Sequence, residues 1–330
     1  MSTTTPIRTS VRTRFAGNPA LDARSDPPAS LAASGQAAAI PGPVRGPADR
    51  RLQRFAEVRH FLDSAGAFLA AREAEHNLIL GICSNLIEMP ETSAGPPYLA
   101  VVSAGDAVVG VAMQTPPRRL VLSEIDDPEA IPMLVADTLD RDLPAVMGPV
   151  EHVRAFVEVW TSRGGPAAHL EGSERIFRLT AVRPPRPVGG GPRAAVAGDR
   201  ALVAAWIEAF MREAIGDVDL AEVAASTDRW LAGRGRTLYL WDDGAAVSLA
   251  GVGGPTPNGI RIGPVYTPPE SRGRGYASAL VAAVSQAELD AGRRFCFLFT
   301  DQANATSNHI YQVIGYQPVR DVDVYEFERG

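Results

Sequence analysis

Apolar positions recur at helical spacing soon after residue 51. Phe61, Leu62, Ala65, Phe68 and Leu69 fall on one face of a helix of 3.6 residues per turn, and a second helix is expected over 76–87. Alternating and continuous apolar runs then predict strands at 98–103, 107–114 and 118–122, a helix at 129–140, a strand at 145–150, a helix at 151–163 and a strand at 169–182. The second half repeats this plan. Helices are expected at 199–214, with Asp199 as its cap, and at 220–231. Strands follow at 237–241, 246–251 and 259–267, a helix at 275–291, a strand at 295–300, a helix at 304–314 and two short strands within 316–328. The pattern predicts a duplicated α/β (α+β) unit.

Two stretches break the pattern. Residues 1–50 are rich in Ala, Pro, Ser, Thr and Gly without hydrophobic periodicity, and are expected to form a disordered, solvated tail. Residues 183–192 read Arg-Pro-Pro-Arg-Pro-Val-Gly-Gly-Gly-Pro, which continues neither a helix nor a central strand. They are expected to be a linker between domains at 51–182 and 193–330.

Composition narrows the chemistry. All 32 basic residues are arginine, which excludes a Walker A lysine, a pyridoxal Schiff base and a Ser-Lys dyad. The net charge of −6 argues against a nucleic-acid coat, and no apolar run approaches a membrane span, so neither nucleic acid nor membrane is an expected partner. Cys83 and Cys296 lie far apart and read as small core residues. A reducing cytoplasm is the expected location, and no metal-ligand spacing is present.

The most informative stretch is Ile262 to Leu280. A strand enters a turn at Pro268 and Pro269, then Arg272-Gly273-Arg274-Gly275, then a helix with Ala277, Leu280, Val281 and Val284 on its apolar face. Unpaired N–H groups at a helix start attract anions, and glycines let backbone approach a phosphate closely. Arg272 and Arg274 add charge suited to phosphate oxygens. The RG dipeptides also fit an RNA-binding segment, but the acidic chain and ordered setting favour a pyrophosphate cradle.

Arg272-x-x-Gly275-x-Ala277 resembles motif A of the GNAT acetyltransferases. Val265-Tyr266-Thr267 resembles the end of that family's fourth strand, and Asn304 to Tyr316 resembles its motif B. The resemblance implies the acyl-CoA N-acyltransferase fold, in tandem copies with a mixed, mostly antiparallel sheet flanked by helices, and acetyl-CoA as acyl donor with no metal. It implies that Val265, Tyr266 and Thr267 lie along the pantetheine arm. It implies too that backbone from Arg272 through Gly273, Arg274, Gly275 and Tyr276 to Ala277 holds pyrophosphate, that Asn304 and Ser307 touch the cofactor, and that Tyr311 protonates the departing thiolate. His309, inside motif B, reads as a solvated helix residue.

The implied reaction is attack of a primary amine of a small molecule or peptide on the thioester, by an acyltransferase for groups other than aminoacyl. A CoA-binding regulatory or structural module without turnover is the alternative. The general base is not fixed by sequence; among Glu208, Glu213 and Asp217, Glu213 is the candidate taken forward. The C-terminal half has 13 Arg against 17 Asp and Glu, a balance that points toward a cationic acceptor. In the N-terminal half the matching junction carries Glu124, Asp126, Asp127 and Glu129, which would repel pyrophosphate. That half is expected to be a degenerate copy that shapes the acceptor pocket or an interface, including one with a second copy of the chain.

Overall fold

The computed structural model describes residues 44–45, 49–90, 95–215 and 218–328. The expected tail therefore lies almost wholly outside the described residues, as does Asp217. Two copies of one plan follow each other. The first comprises β2 (Arg50–Arg54), α1 (Val58–Ala71), α2 (Asn77–Glu88), β3 (Tyr98–Ala104), β4 (Ala107–Gln114), β5 (Leu120–Leu122), α3 (Ala130–Thr138), β6 (Ala145–Pro149), α4 (Val150–Ser162) and β7 (Ala168–Leu179), after a short β1 (Val44–Arg45). The second comprises β8 (Gly191–Ala194), α5 (Arg200–Ile215), α6 (Leu220–Leu231), β9 (Arg236–Asp242), β10 (Ala246–Gly253), β11 (Gly259–Tyr266), α7 (Tyr276–Asp290), β12 (Phe295–Asp301), α8 (Ala305–Val313) and β13 (Gln317–Phe327).

All these strands form one sheet, in the order β1-β2-β3-β4-β5-β6-β13-β7-β12-β11-β10-β9-β8. Among the described residues, only β5–β6 and β11–β12 are parallel pairs. The two copies exchange their last strands: β13 lies beside β6 of the first, and β7 lies beside β12 of the second. The exchanged strands pair with each other along nearly their whole length, from Gln317↔Arg178 to Phe327↔Ala168. The two short strands expected within 316–328 are thus one long strand, with its register shifted at Pro318/Arg320 and Val324/Tyr325.

Both faces of the sheet are covered. In β3, Tyr98, Ala100 and Val102 pack with Ile131, Leu134, Val153, Phe156 and Trp160 of α3 and α4. The alternate residues Leu99 and Val101 pack with Phe61, Ala65 and Leu69 of α1 and Cys83 of α2. In the second copy α7 and α8 cover one face and α5 and α6 the other. Both cysteines are free and buried, and burial pushes each thiol up to about 12.

Three local expectations change. Asp199 does not cap α5. It ends a 3₁₀ turn, accepts from the Val196 N–H at 2.8 Å and pairs with Arg193 at 2.7 Å, because the guanidinium of β8 lies within its reach. The leading strands β2 and β8 lie outside the expected elements, since β2 buries only Leu52 and β8 starts inside the Pro/Gly stretch. Residues 181–190 carry no regular structure, yet they are fastened. Arg183 N–H donates to Ile314 C=O at 2.9 Å, and Trp241 Nε1–H donates to Gly189 C=O at 2.7 Å.

The copies also join through Glu73, between α1 and α2. Its buried carboxylate accepts from Thr256 Oγ1 at 2.5 Å, Asn258 N at 2.7 Å and Asn258 Nδ2 at 2.7 Å in the β10–β11 turn. Glu73→Ala strands these donors, and hydrogen bonds to a charged group contribute about 1.5–3 kcal/mol each. The expected loss is about 3 kcal/mol in the urea-unfolding free energy, with Glu73→Gln recovering part of it. An unchanged unfolding midpoint would show that the turn holds its form without this carboxylate.

Candidate active site

The site begins where two strands separate. β11 and β12 pair in parallel at Gly259↔Phe295, Ile260↔Cys296 and Arg261↔Phe297, and pairing then stops, although β11 runs on to Tyr266 and β12 to Asp301. The cause is local. Against β10 the register of β11 shifts between Ile262 and Val265, so Gly263 and Pro264 form a bulge. Gly263 has φ +147°, and Pro264 has no N–H to give to a neighbouring strand. The result is an unpaired edge of β11 facing a gap, with Val265 and Tyr266 along it and Thr267 just beyond.

At the open end lies the turn before α7. Gly273 has φ +75° and Gly275, the residue before the helix, has φ +90°. A Cβ on Gly275 would also come within 3.2 Å of Val188 Cγ1, so this position requires glycine twice over. The first bond made inside α7 is Ala279 N–H to Gly275 C=O at 3.0 Å. Among the described residues, no backbone acceptor meets the N–H groups from Gly273 to Ser278. Tyr276 fixes the helix start by donating its hydroxyl to Asp243 Oδ2 at 2.6 Å, and Ala277 faces the core in part.

The two motif arginines have different positions. Arg274 is exposed at the helix start. Arg272 turns back: its Nε donates to Thr267 C=O at 2.8 Å, and its Nη2 contacts Glu213 Oε1 at 2.6 Å and Oε2 at 2.9 Å. Sequence reasoning assigns Arg272 to the phosphate and Glu213 to the acceptor amine. The fold instead pairs them with each other across 59 residues of chain. Glu208 is likewise bound to Arg212 at 2.7 Å.

Motif B supplies the other wall. Asn304 caps α8 by accepting from Ser307 N–H at 2.9 Å, and both residues are buried. The Asn304 Nδ2 group, at the start of α8 just past the end of β12, is buried without a partner. Tyr311 is 3% exposed, lies edge-on to Tyr316 at 6.0 Å, and has its hydroxyl held well above the usual phenol range by burial. It therefore stays protonated at neutral pH. His309 is exposed. The diverging strands, the open helix start and the orphan amide suit a pantetheine–pyrophosphate chain such as that of acetyl-CoA.

The same junction in the first copy is closed. β5 and β6 pair at Leu120↔Val146 and Val121↔Met147, and Gly148 stays so close that a Cβ there would lie 2.9 Å from Leu122 Cβ. The N–H groups that could hold an anion are taken: Glu124 N–H by His76 Nε2 at 3.1 Å, Glu129 N–H by Asp127 Oδ1, and Ala130 and Ile131 N–H by Asp127 and Pro128 C=O. His76 is neutral, because burial lowers it to about 4. Burial raises the Glu124 carboxyl, but hydrogen bonds from His152 and Arg320 outweigh that and bring it to about 2. Arg320, on exchanged β13, bonds both Glu124 and Glu151. The run of four carboxylates in the sequence points to this closed junction, but not to His76 or Arg320.

Comparison with known proteins agrees with the fold. Residues 254–325 match the family model described as FR47-like protein. No curated protein matches the sequence. A Drosophila protein of solved structure superposes with TM-score 0.60 at 15% identity, covering 84% of this chain and 98% of its own. A GCN5-related N-acetyltransferase from Sphaerobacter thermophilus gives 0.56 at 17%, covering 86% and 98%. A tandem GNAT protein from the clavulanic acid biosynthesis pathway gives 0.51 at 14%, covering 84% and 97%. The chain has the fold of these GNAT structures, a mixed, mostly antiparallel sheet flanked by helices. None of the described helices is long and apolar enough to cross a membrane.

Proposed function

We propose that the chain is an acyltransferase that moves the acetyl group of acetyl-CoA to a primary amine of a small molecule or peptide, using the second copy (193–330) as its catalytic unit. The first copy (51–182) is then a degenerate relative that closes one side of the acceptor space. The observation that carries this is the separation of β11 from β12 beside the open N-terminus of α7, which the first copy lacks. Acetyl-CoA supplies an activated acyl thioester. The free edge of β11 at Val265 and Tyr266 aligns the arm and offers an N–H to the thioester oxygen. Backbone from Gly273 to Ala277, with Arg274 above it, holds the pyrophosphate. Asn304 Nδ2 gives one more hydrogen bond, while Arg272 and Glu213 brace the turn. Tyr311, a neutral phenol, returns a proton to sulfur. With Glu213 and Glu208 both ion-paired, the amine loses its proton to water.

Gly273→Asp tests the donor site. This glycine is exposed, a Cβ there would meet nothing within 4 Å, and aspartate tolerates its left-handed φ better than most residues. The added carboxylate opposes pyrophosphate while the fold is kept. Calorimetry is expected to show acetyl-CoA binding weakened at least 10-fold, about 1.4 kcal/mol, with little change in melting temperature. Equal affinity would remove the cradle from this turn.

A further inference from the structure

A small cavity lies at the strand separation, on the sheet face covered by α5 and α6. Its volume is ≈ 50 Å³, and its polar lining is Asn85 of α2, Arg236 of β9 and Arg261 of β11, with Trp230, the Gly263–Pro264 bulge and Phe299 completing the wall. It therefore adjoins the residues that precede Val265, the point at which the acyl donor is expected, and it includes one side chain from the first copy. This inference rests on the acyltransferase reading and concerns the acceptor.

The cavity is cationic, and its charge is not met within the described residues. Arg236 Nε, Arg261 Nη1 and Asn85 Oδ1 are buried polar atoms without a hydrogen-bond partner. Arg236 stacks over Trp230 at 5.4 Å, and the Arg261 guanidinium lies beside Gly254. Arg118 and Arg229 add positive charge nearby, and of the surrounding acids Glu222 is bound to Arg229 at 2.6 Å. Glu88 and Glu174 act on Arg236 and Arg261 only at longer range. Burial opposes the charge of Arg261 and lowers it to about 10, so it remains a cation at neutral pH. A buried guanidinium without an ion-pair partner is unfavourable, and the Trp230 ring and the more distant Glu88 and Glu174 offset it only in part.

We propose that this cavity binds a carboxylate carried by the acceptor, so that the substrate is an amino acid or a similar small molecule with both amine and carboxylate. Forked guanidinium donors suit a planar carboxylate. A water-sized group needs roughly 15 Å³ of such space, so the volume admits the three non-hydrogen atoms of a carboxylate. The local sign is the reverse of that suggested by the charge of the C-terminal half.

The test is calorimetric titration of the full chain with a panel of N-acetyl amino acids, as product probes, and with their matching primary amides. The acids are expected to bind at least 10-fold more tightly than the amides, and Arg236→Gln and Arg261→Gln are each expected to abolish that preference. Both variants keep much of the side-chain volume and are expected to melt close to wild type. Failure of every acid to exceed its amide, or a preference that survives in both variants, overturns the inference. Acetyl-CoA binding, measured on the same protein, separates this outcome from failure of the donor site.

Discussion

Tyr311→Phe is expected to lower turnover about 100-fold while acetyl-CoA affinity stays within a factor of about 2, the size of effect general-acid groups contribute. The residue is 3% exposed on α8, yet its hydroxyl has no hydrogen-bond partner among the described residues. A phenylalanine would fill the same space between α8 and Tyr316, so packing alone does not account for the oxygen. A proton donor serving a thiol site does account for it. Stopped-flow or coupled assays of CoA release against calorimetric binding separate the two effects. Full turnover in the variant would assign Tyr311 to packing and favour the reading of the chain as a CoA-binding module without catalysis.

The open strand end and the helix start of this site are legible in the sequence because their signals are local. Glycines at 273 and 275, prolines at 268 and 269 and the apolar face of α7 fix a strand–turn–helix within some twenty residues. Asn304 and Tyr311 likewise belong to one short helix and its cap. The cavity beside it is not legible, because its polar groups converge from distant segments: Asn85 from α2, Arg236 from β9 and Arg261 from β11. Arg272 shows the same limit. Its charge points to an anion, but its partner Glu213 lies on another helix, and local sequence cannot choose between a phosphate and a carboxylate. Strands β2 and β8 escape the pattern for a different reason. Each is a short strand with few buried positions, so neither carries a clear alternation.

The strand exchange is the feature that local pattern could least reveal, and it decides how the halves behave apart. Periodicity locates β7 and β13 but says nothing of their neighbours. A chain cut in the Pro/Gly stretch would give 49–182, in which β6 loses β13, and 183–330, in which β12 loses β7. Each fragment would also lose the pairing of β7 with β13 and bare an edge lined by apolar residues such as Met147, Ile176, Val322 and Val324. Expressed separately, both fragments are expected to aggregate or unfold without a cooperative transition. Co-expressed, they are expected to purify as a 1:1 complex with acetyl-CoA affinity near that of the intact chain. A monomeric 49–182 fragment with a sharp melting transition would show that the first copy folds independently of the exchanged strand. If instead only the complex folds, the closed junction of the first copy has a structural rationale. Glu124 and Glu151, bonded by Arg320 of β13, then serve to seat a strand that the second copy contributes, and the place where the second copy would hold a phosphate is, in the first, where the two copies are held together.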